Sequence, residues 1–249
     1  MFLIVTMLII GVMCGFVGVG GAGFIISVLL LFDVEIHTAL ATSLSAMVFT
    51  TLSGAVSHLR EGNIKISVGA ATGIFGALGA LVGSHLTSYI PAGDLHYLTA
   101  GMLLASAVLI VCRLFVFQKR SDDERKPLLE KKNLVLRALL LGCVTGVLSG
   151  LFGIGAAPFI QIGLILCFSL TIAEAIGTTM LVILPIAAGG SIGYVLQGYL
   201  DVTLLLQVLV GTMIGAYLGA KLTNYAPTQL LKIAMVATPV IAASLILWK

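Results

Sequence analysis

Long apolar runs separated by short polar or charged clusters cover almost the whole chain. Runs over 36–58, 66–89, 94–117, 173–196, 203–223 and 228–248 each supply the ~20 helical residues needed to cross a hydrocarbon core of ~30 Å, and they predict six spanning helices. Two more apolar segments, 2–32 and 134–168, are interrupted by glycine and predict broken helices. Each arm of 2–32 has about 14 residues, ~21 Å of helix, enough to reach the midplane and return. The same length fits one crossing with an unwound centre, so re-entrant hairpin and single broken span both stand. The fold class expected is all-α, a polytopic membrane protein.

The two broken segments carry the same glycine-rich phrase, Gly15-Phe-Val-Gly18-Val-Gly20-Gly21-Ala-Gly23-Phe24 and Gly150-Leu-Phe-Gly153-Ile-Gly155-Ala156-Ala157-Pro158-Phe159. The phrases align at an offset of 135, and an offset of 136 then aligns Gly54 with Gly190, Gly62 with Gly198, Gly79 with Gly215 and Gly83 with Gly219. Leu86-Thr-Ser-Tyr-Ile-Pro91 falls on Leu222-Thr-Asn-Tyr-Ala-Pro227. The chain therefore reads as two repeats, 1–117 and 134–249, joined by a polar linker over 118–133. Each repeat has a broken or re-entrant first helix followed by three spanning helices.

Composition supports the membrane assignment. With 59% hydrophobic residues, 9% charged residues and a mean hydropathy of +1.18, the chain has more apolar surface than a soluble domain of 249 residues could bury. The opening run Met1 to Ile10 has no Lys or Arg and no small-residue cleavage site, so it is expected to stay in the mature protein rather than act as a secretory signal. The four cysteines, Cys14, Cys112, Cys143 and Cys167, form no CxxC pair and lie far from any histidine at ligand spacing, so no metal and no cofactor are expected.

Charge orients the repeats. The basic cluster between Lys119 and Arg137 should place the linker in the cytoplasm, which makes the chain a multi-pass protein of the cell (inner) membrane and argues against nucleic acid as a partner. With the linker inside, an inverted arrangement of three-span repeats puts Arg60, Lys65, Lys221 and Lys232 inside as well and leaves Lys249 outside. A parallel arrangement of four-span repeats strands Lys221 and Lys232 outside, so charge favours inversion.

Helix breaks at membrane depth persist only where protein or a water-filled cavity satisfies the freed backbone, so the two breaks should meet at one cavity. Each frees N–H groups at a helix start, an end that attracts anions. The backbone at Gly18, Gly20, Gly21, Gly23, Gly153, Gly155 and Ala156 is the expected substrate site. Thr42-Ser43, aligned with Thr178-Thr179, are candidate neutral donors, and Gln161, just past the second break, is a candidate lining residue. Glu174 and His58 are ionisable groups in apolar sequence and hence coupling candidates, for a proton or another ion. Each has a plainer reading, Glu174 at the membrane interface and His58 at a helix end. Gly18-Val-Gly-Gly-Ala-Gly23 also satisfies GxGxxG, but no βαβ alternation surrounds it, and the second copy has Pro158 in place of the last glycine.

The doubled phrase, the runs Ala39-Leu-Ala-Thr42-Ser43-Leu and Ala175-Ile-Gly-Thr178-Thr179-Met, and the turn Arg60-Glu-Gly62-Asn63 together resemble the TauE/SafE family of membrane permeases over essentially the whole chain. Ala22 and Ala156-Ala157 stand where that family usually has its third glycine. The resemblance implies transport of sulfur-containing anions such as sulfite or organosulfonates, often as export. The function expected is a secondary transporter (permease or exporter) of small anions working by alternating access around a midplane site. No GxxxxGK[ST] loop is present, so the drive would be an ion gradient or the substrate's own. A passive anion channel is the alternative. An intramembrane enzyme is weaker, because all four histidines (His37, His58, His85, His96) lie in the first half and Ser149-Gly150 lacks a GxSxG elbow. The partners expected are the small anion and the bilayer, and the pattern is compatible with an oligomer.

Overall fold

The computed structural model describes residues 2–17, 22–116, 131–222 and 226–248. They form ten α-helices: α1 Phe2–Val17, α2 Ala22–Leu31, α3 Ile36–Arg60, α4 Ile66–Thr87, α5 Ala92–Val116, α6 Lys131–Phe152, α7 Ala157–Phe168, α8 Ile172–Leu196, α9 Val202–Leu222 and α10 Thr228–Leu247. Among the described residues, α3, α4, α5, α6, α8 and α9 are long and apolar enough to cross a membrane, and there is no strand. Large apolar side chains such as Ile74, Leu78, Val108, Leu206 and Ile233 point outward, as a lipid-facing surface requires. The linker falls mostly outside the described residues.

Glycines set the helix seams and show which way the helices run. A methyl group on Gly142 would strike Thr72, one on Gly146 would strike Gly76 and one on Gly150 would strike Ala80, so α6 lies parallel to α4 at backbone contact. Gly11 against Thr212 and Gly15 against Ala216 set α1 parallel to α9 in the same way. Close approach of this kind maximises van der Waals contact where lipid supplies no hydrophobic drive between helices. α3 and α8 cross the centre antiparallel, joined by a Ser45–Ser191 hydroxyl bond of 2.6 Å and by Gly54 against Met180.

Both broken segments fold back on themselves. α7 returns along α6: Gly163 meets Leu141, and Arg137 donates to the Cys167 carbonyl at 2.6 Å. α6 runs past the middle of the bundle to the level of Gly83–Thr87, near the end of α4, before it breaks, and the open end of this hairpin lies on the Arg60 face. α1 starts on the opposite face, level with the start of α9, and α2 ends on that face in the turn before α3. The two hairpins thus enter from opposite sides.

Ionic groups divide between the faces accordingly. Arg60, Lys65, Arg137 and Lys221 cluster on one, whereas Asp33, Glu35, Asp94 and Asp201 lie at helix ends on the other. On the basic face Arg60 donates to the Tyr217 hydroxyl at 3.1 Å and Lys65 pairs with Glu174 at 3.0 Å. On the acidic face His37 stacks on Tyr199 with ring centroids 4.9 Å apart.

Candidate functional site

The second break is built from residues whose backbone cannot continue a helix. Gly153 and Gly155 have φ of 64° and 70°, left-handed values that cost a residue with a Cβ about 1–2 kcal/mol. Ala156 accepts such strain at φ 45° and forms the N-cap of α7. Pro158 follows in the first turn, where its missing N–H and fixed φ suit a helix start. No side chain caps this end, so the positive end of the α7 dipole is left to its surroundings. Across the seam, the Ser43 hydroxyl lies 3.3 Å from the Gly153 carbonyl and 2.9 Å from that of Leu40, tying α3 to the break.

The second break faces the start of α2. Gly23 and Phe24 share one cleft with Ile154 and Pro158, closed by Leu103 of α5 and by Thr238, Pro239 and Ala242 of α10. Leu103 and Pro239 lie near the middles of their helices, which puts the cleft near the bundle centre. Two pairs of its members are related by the sequence offsets: Gly23 aligns with Pro158 at 135, and Leu103 with Pro239 at 136. The cleft is largely apolar and, at ≈ 10 Å³, holds no more than about one water. Ser27 anchors α2 beside it, donating to the carbonyls of Gly23 at 2.7 Å and Ala242 at 2.9 Å. Pro239 cannot donate to the carbonyl one turn back, so α10 is locally weakened where it lines the cleft.

The other predicted residues are distributed unevenly. Gly18, Gly20 and Gly21 lie outside the described residues. Gln161 is fully buried in α7, one turn past the break. The two hydroxyl pairs are not brought together: the antiparallel crossing of α3 and α8 leaves Thr42 and Thr179 about 14 residues apart along the axis, or ~21 Å. The Thr178 hydroxyl accepts from the Lys65 N–H at 3.0 Å and so caps the start of α4. Thr42 and Thr179 keep buried hydroxyls without a partner among the described residues.

Glu174 sits in the first turn of α8. It closes a capping box with Thr171, accepting from the Thr171 N–H at 3.0 Å, and it pairs with Lys65. Because Lys65 and Glu174 are 49% and 26% exposed, Glu174→Gln is expected to lower the stability of purified protein by less than ~1 kcal/mol. Thr171→Ala, which removes the cap, should cost ~1 kcal/mol, and thermal melts of the two variants compare them. His58 is fully buried, with its ring against the backbone of Gly15.

Sequence reading missed the contacts of Tyr194. Its hydroxyl donates to the Gly150 carbonyl at 3.0 Å and to the Thr87 hydroxyl at 3.2 Å, and Thr87 lies 2.9 Å from the Leu151 carbonyl. The signal available was the alignment of Tyr194 with His58, which pointed to the position and not to its partner.

Against protein-family models, residues 3–246 match the family described as "Sulfite exporter TauE/SafE". The chain belongs to the TauE/SafE family. Among similar chains, a "Probable membrane transporter protein YdhB" of Bacillus subtilis (strain 168) is 53% identical over 249 residues, covering 100% of both chains. "Probable membrane transporter protein YjnA" of the same organism is 27% identical over 86% of this chain and 88% of its own. A "Probable membrane transporter protein" of Xylella fastidiosa (strain 9a5c) is 25% identical over 97% of this chain and 92% of its own. No solved structure matches. The resemblance read from the glycine phrases thus holds for the TauE/SafE assignment, and the all-helical polytopic fold agrees with it.

Proposed function

We propose that this TauE/SafE chain is a secondary carrier of small sulfur-containing oxyanions, sulfite or organosulfonates, across the cell membrane. The observation that carries the reading is the cleft in which the start of α2 and the break before α7 meet. Hairpins that open on opposite faces and residues related by offsets of 135 and 136 support two inverted repeats, each with three crossings and one re-entrant hairpin. Half-helix starts at membrane depth are where such carriers hold anionic groups. The Arg60 face is then cytoplasmic.

A cleft without Lys or Arg suits a delocalised oxyanion that must be released again, because a desolvated ion pair would hold it too firmly. The water-sized volume among the described residues supports a carrier over an open channel, with access coming from movement of the hairpins. In proteoliposomes, the expected result is saturable counterflow of labelled sulfite against unlabelled sulfite or a small sulfonate. Unitary currents far above carrier turnover, without counterflow, would favour the channel and contradict the proposal.

A further inference from the structure

The last carbonyls of α6 have no amide donors one turn ahead, because the chain leaves the helix at Gly153. The Ser149 carbonyl accepts from the Gly153 N–H at 2.9 Å. The next two are covered from other helices. The Tyr194 hydroxyl of α8 donates to the Gly150 carbonyl at 3.0 Å, and the Thr87 hydroxyl of α4 lies 2.9 Å from the Leu151 carbonyl and 3.4 Å from that of Gly150. Tyr194 and Thr87 are fully buried with their hydroxyls 3.2 Å apart, so these bonds form out of water, where loss of a donor strands a carbonyl.

The matching place in the other half is filled in the same way by a different side chain. His58 aligns with Tyr194 at offset 136, and Gly15 aligns with Gly150 at 135. The His58 ring is fully buried in α3 and hydrogen-bonded to the backbone of Gly15, in the last turn of α1. Gly150 likewise lies in the last turn of α6. In each half, then, a long helix of the opposite repeat holds the end of the helix that precedes the hairpin turn, with an imidazole at one and a phenol at the other. Side chains so unlike in shape share only a buried polar atom delivered to the same backbone position.

We propose that Tyr194 and Thr87 are positioning residues for anion binding: by capping α6 from outside they fix where it stops, and so where the break and the start of α7 stand. Ile154, one turn beyond Gly150, is a wall of the central cleft, so a shift at the end of α6 moves that wall directly. Neither hydroxyl touches the anion. His58 has the same part at the end of α1. The inference rests on the reading of the cleft as an anion site, though not on the identity of the anion.

The test titrates purified full-length protein with sulfite and, in parallel, with nitrate, and reads binding by calorimetry. Tyr194→Phe and Thr87→Val should each weaken sulfite binding about fivefold, the scale of one net hydrogen bond. Thr87→Ser, which keeps the hydroxyl, should return toward the unsubstituted affinity. Ser53→Ala is the control for lost stability alone: it removes a bond of 3.0 Å from α3 to the Met213 carbonyl of α9 and should leave binding unchanged. If Tyr194→Phe does not elute as folded protein, the contrast between Thr87→Val and Thr87→Ser decides. Equal affinity in all variants, or a loss in Ser53→Ala as large as in Thr87→Val, overturns the inference and leaves the carrier reading standing. If the unsubstituted protein binds nitrate and not sulfite, the same pattern read with nitrate supports the inference and contradicts the sulfur-oxyanion reading alone. Unsubstituted protein that binds neither anion contradicts both.

Discussion

Gly146→Leu is expected to leave no folded protein. A methyl group there would fall 2.1 Å from the Gly76 carbonyl oxygen and 2.8 Å from the Gly76 Cα, so the obstacle is the backbone of α4 and no rotamer relieves it. To accommodate even alanine, α4 and α6 must separate along a seam held by Gly142 on Thr72 and Gly150 on Ala80. Separation loosens the contacts that place the break and the hydrogen bonds of Tyr194 with Gly150 and Thr87. A loss above ~4 kcal/mol is expected, in the exceptional range for a single substitution and comparable with the whole stability of many proteins. Gly146→Ala should already lower the melting temperature clearly. Gly101→Leu is the control, since nothing lies within 4 Å of a Cβ at that position. Size-exclusion profiles and thermal melts of the three variants check the prediction.

Gly155→Ala should do the opposite, keeping the fold and losing transport. The left-handed φ of 70° costs alanine about 1–2 kcal/mol. Its methyl would fall 2.2 Å from the Met47 Cε, the free end of a flexible side chain that can swing away. The protein therefore folds, but the break relaxes and the start of α7 no longer presents the same backbone to the cleft. Sulfite counterflow at least tenfold below the unsubstituted protein is expected, with expression and elution unchanged. Met47→Ala alone should leave counterflow within a few-fold, because Met47 only packs against the break.

How much could be read in the sequence differs from element to element. The six long apolar runs became helices within a few residues of their expected ends. Only five of them, α3, α4, α5, α8 and α9, are long and apolar enough among the described residues to cross a membrane; α10 is not, and α6, expected to be part of a broken segment, is. The breaks were legible in Gly153, Gly155 and Pro158, which the backbone needs for its left-handed turn and new helix start. Whether 134–168 crosses or returns was not legible, since both need the same length. The return shows only in contacts such as Arg137 with Cys167. The contact of the Thr178 hydroxyl with the Lys65 N–H, at the start of α4, was not legible in the sequence, because it joins two helices 113 residues apart. The capping box of Glu174 with Thr171 was legible in the sequence as Thr-Ile-Ala-Glu. The cleft walls of Leu103 and Pro239 carry no chemistry of their own and could be found only by folding the halves together.

The central claim, an anion site between the two hairpin tips, is tested most directly by ligand-induced thermal stabilisation of purified protein. Sulfite in hundredfold excess over its dissociation constant should stabilise the unsubstituted protein by about 2.7 kcal/mol, while chloride at the same concentration should not. Gly155→Ala, folded and melting cooperatively, should show no shift with sulfite. An equal sulfite shift in both proteins would place the anion elsewhere and contradict the account.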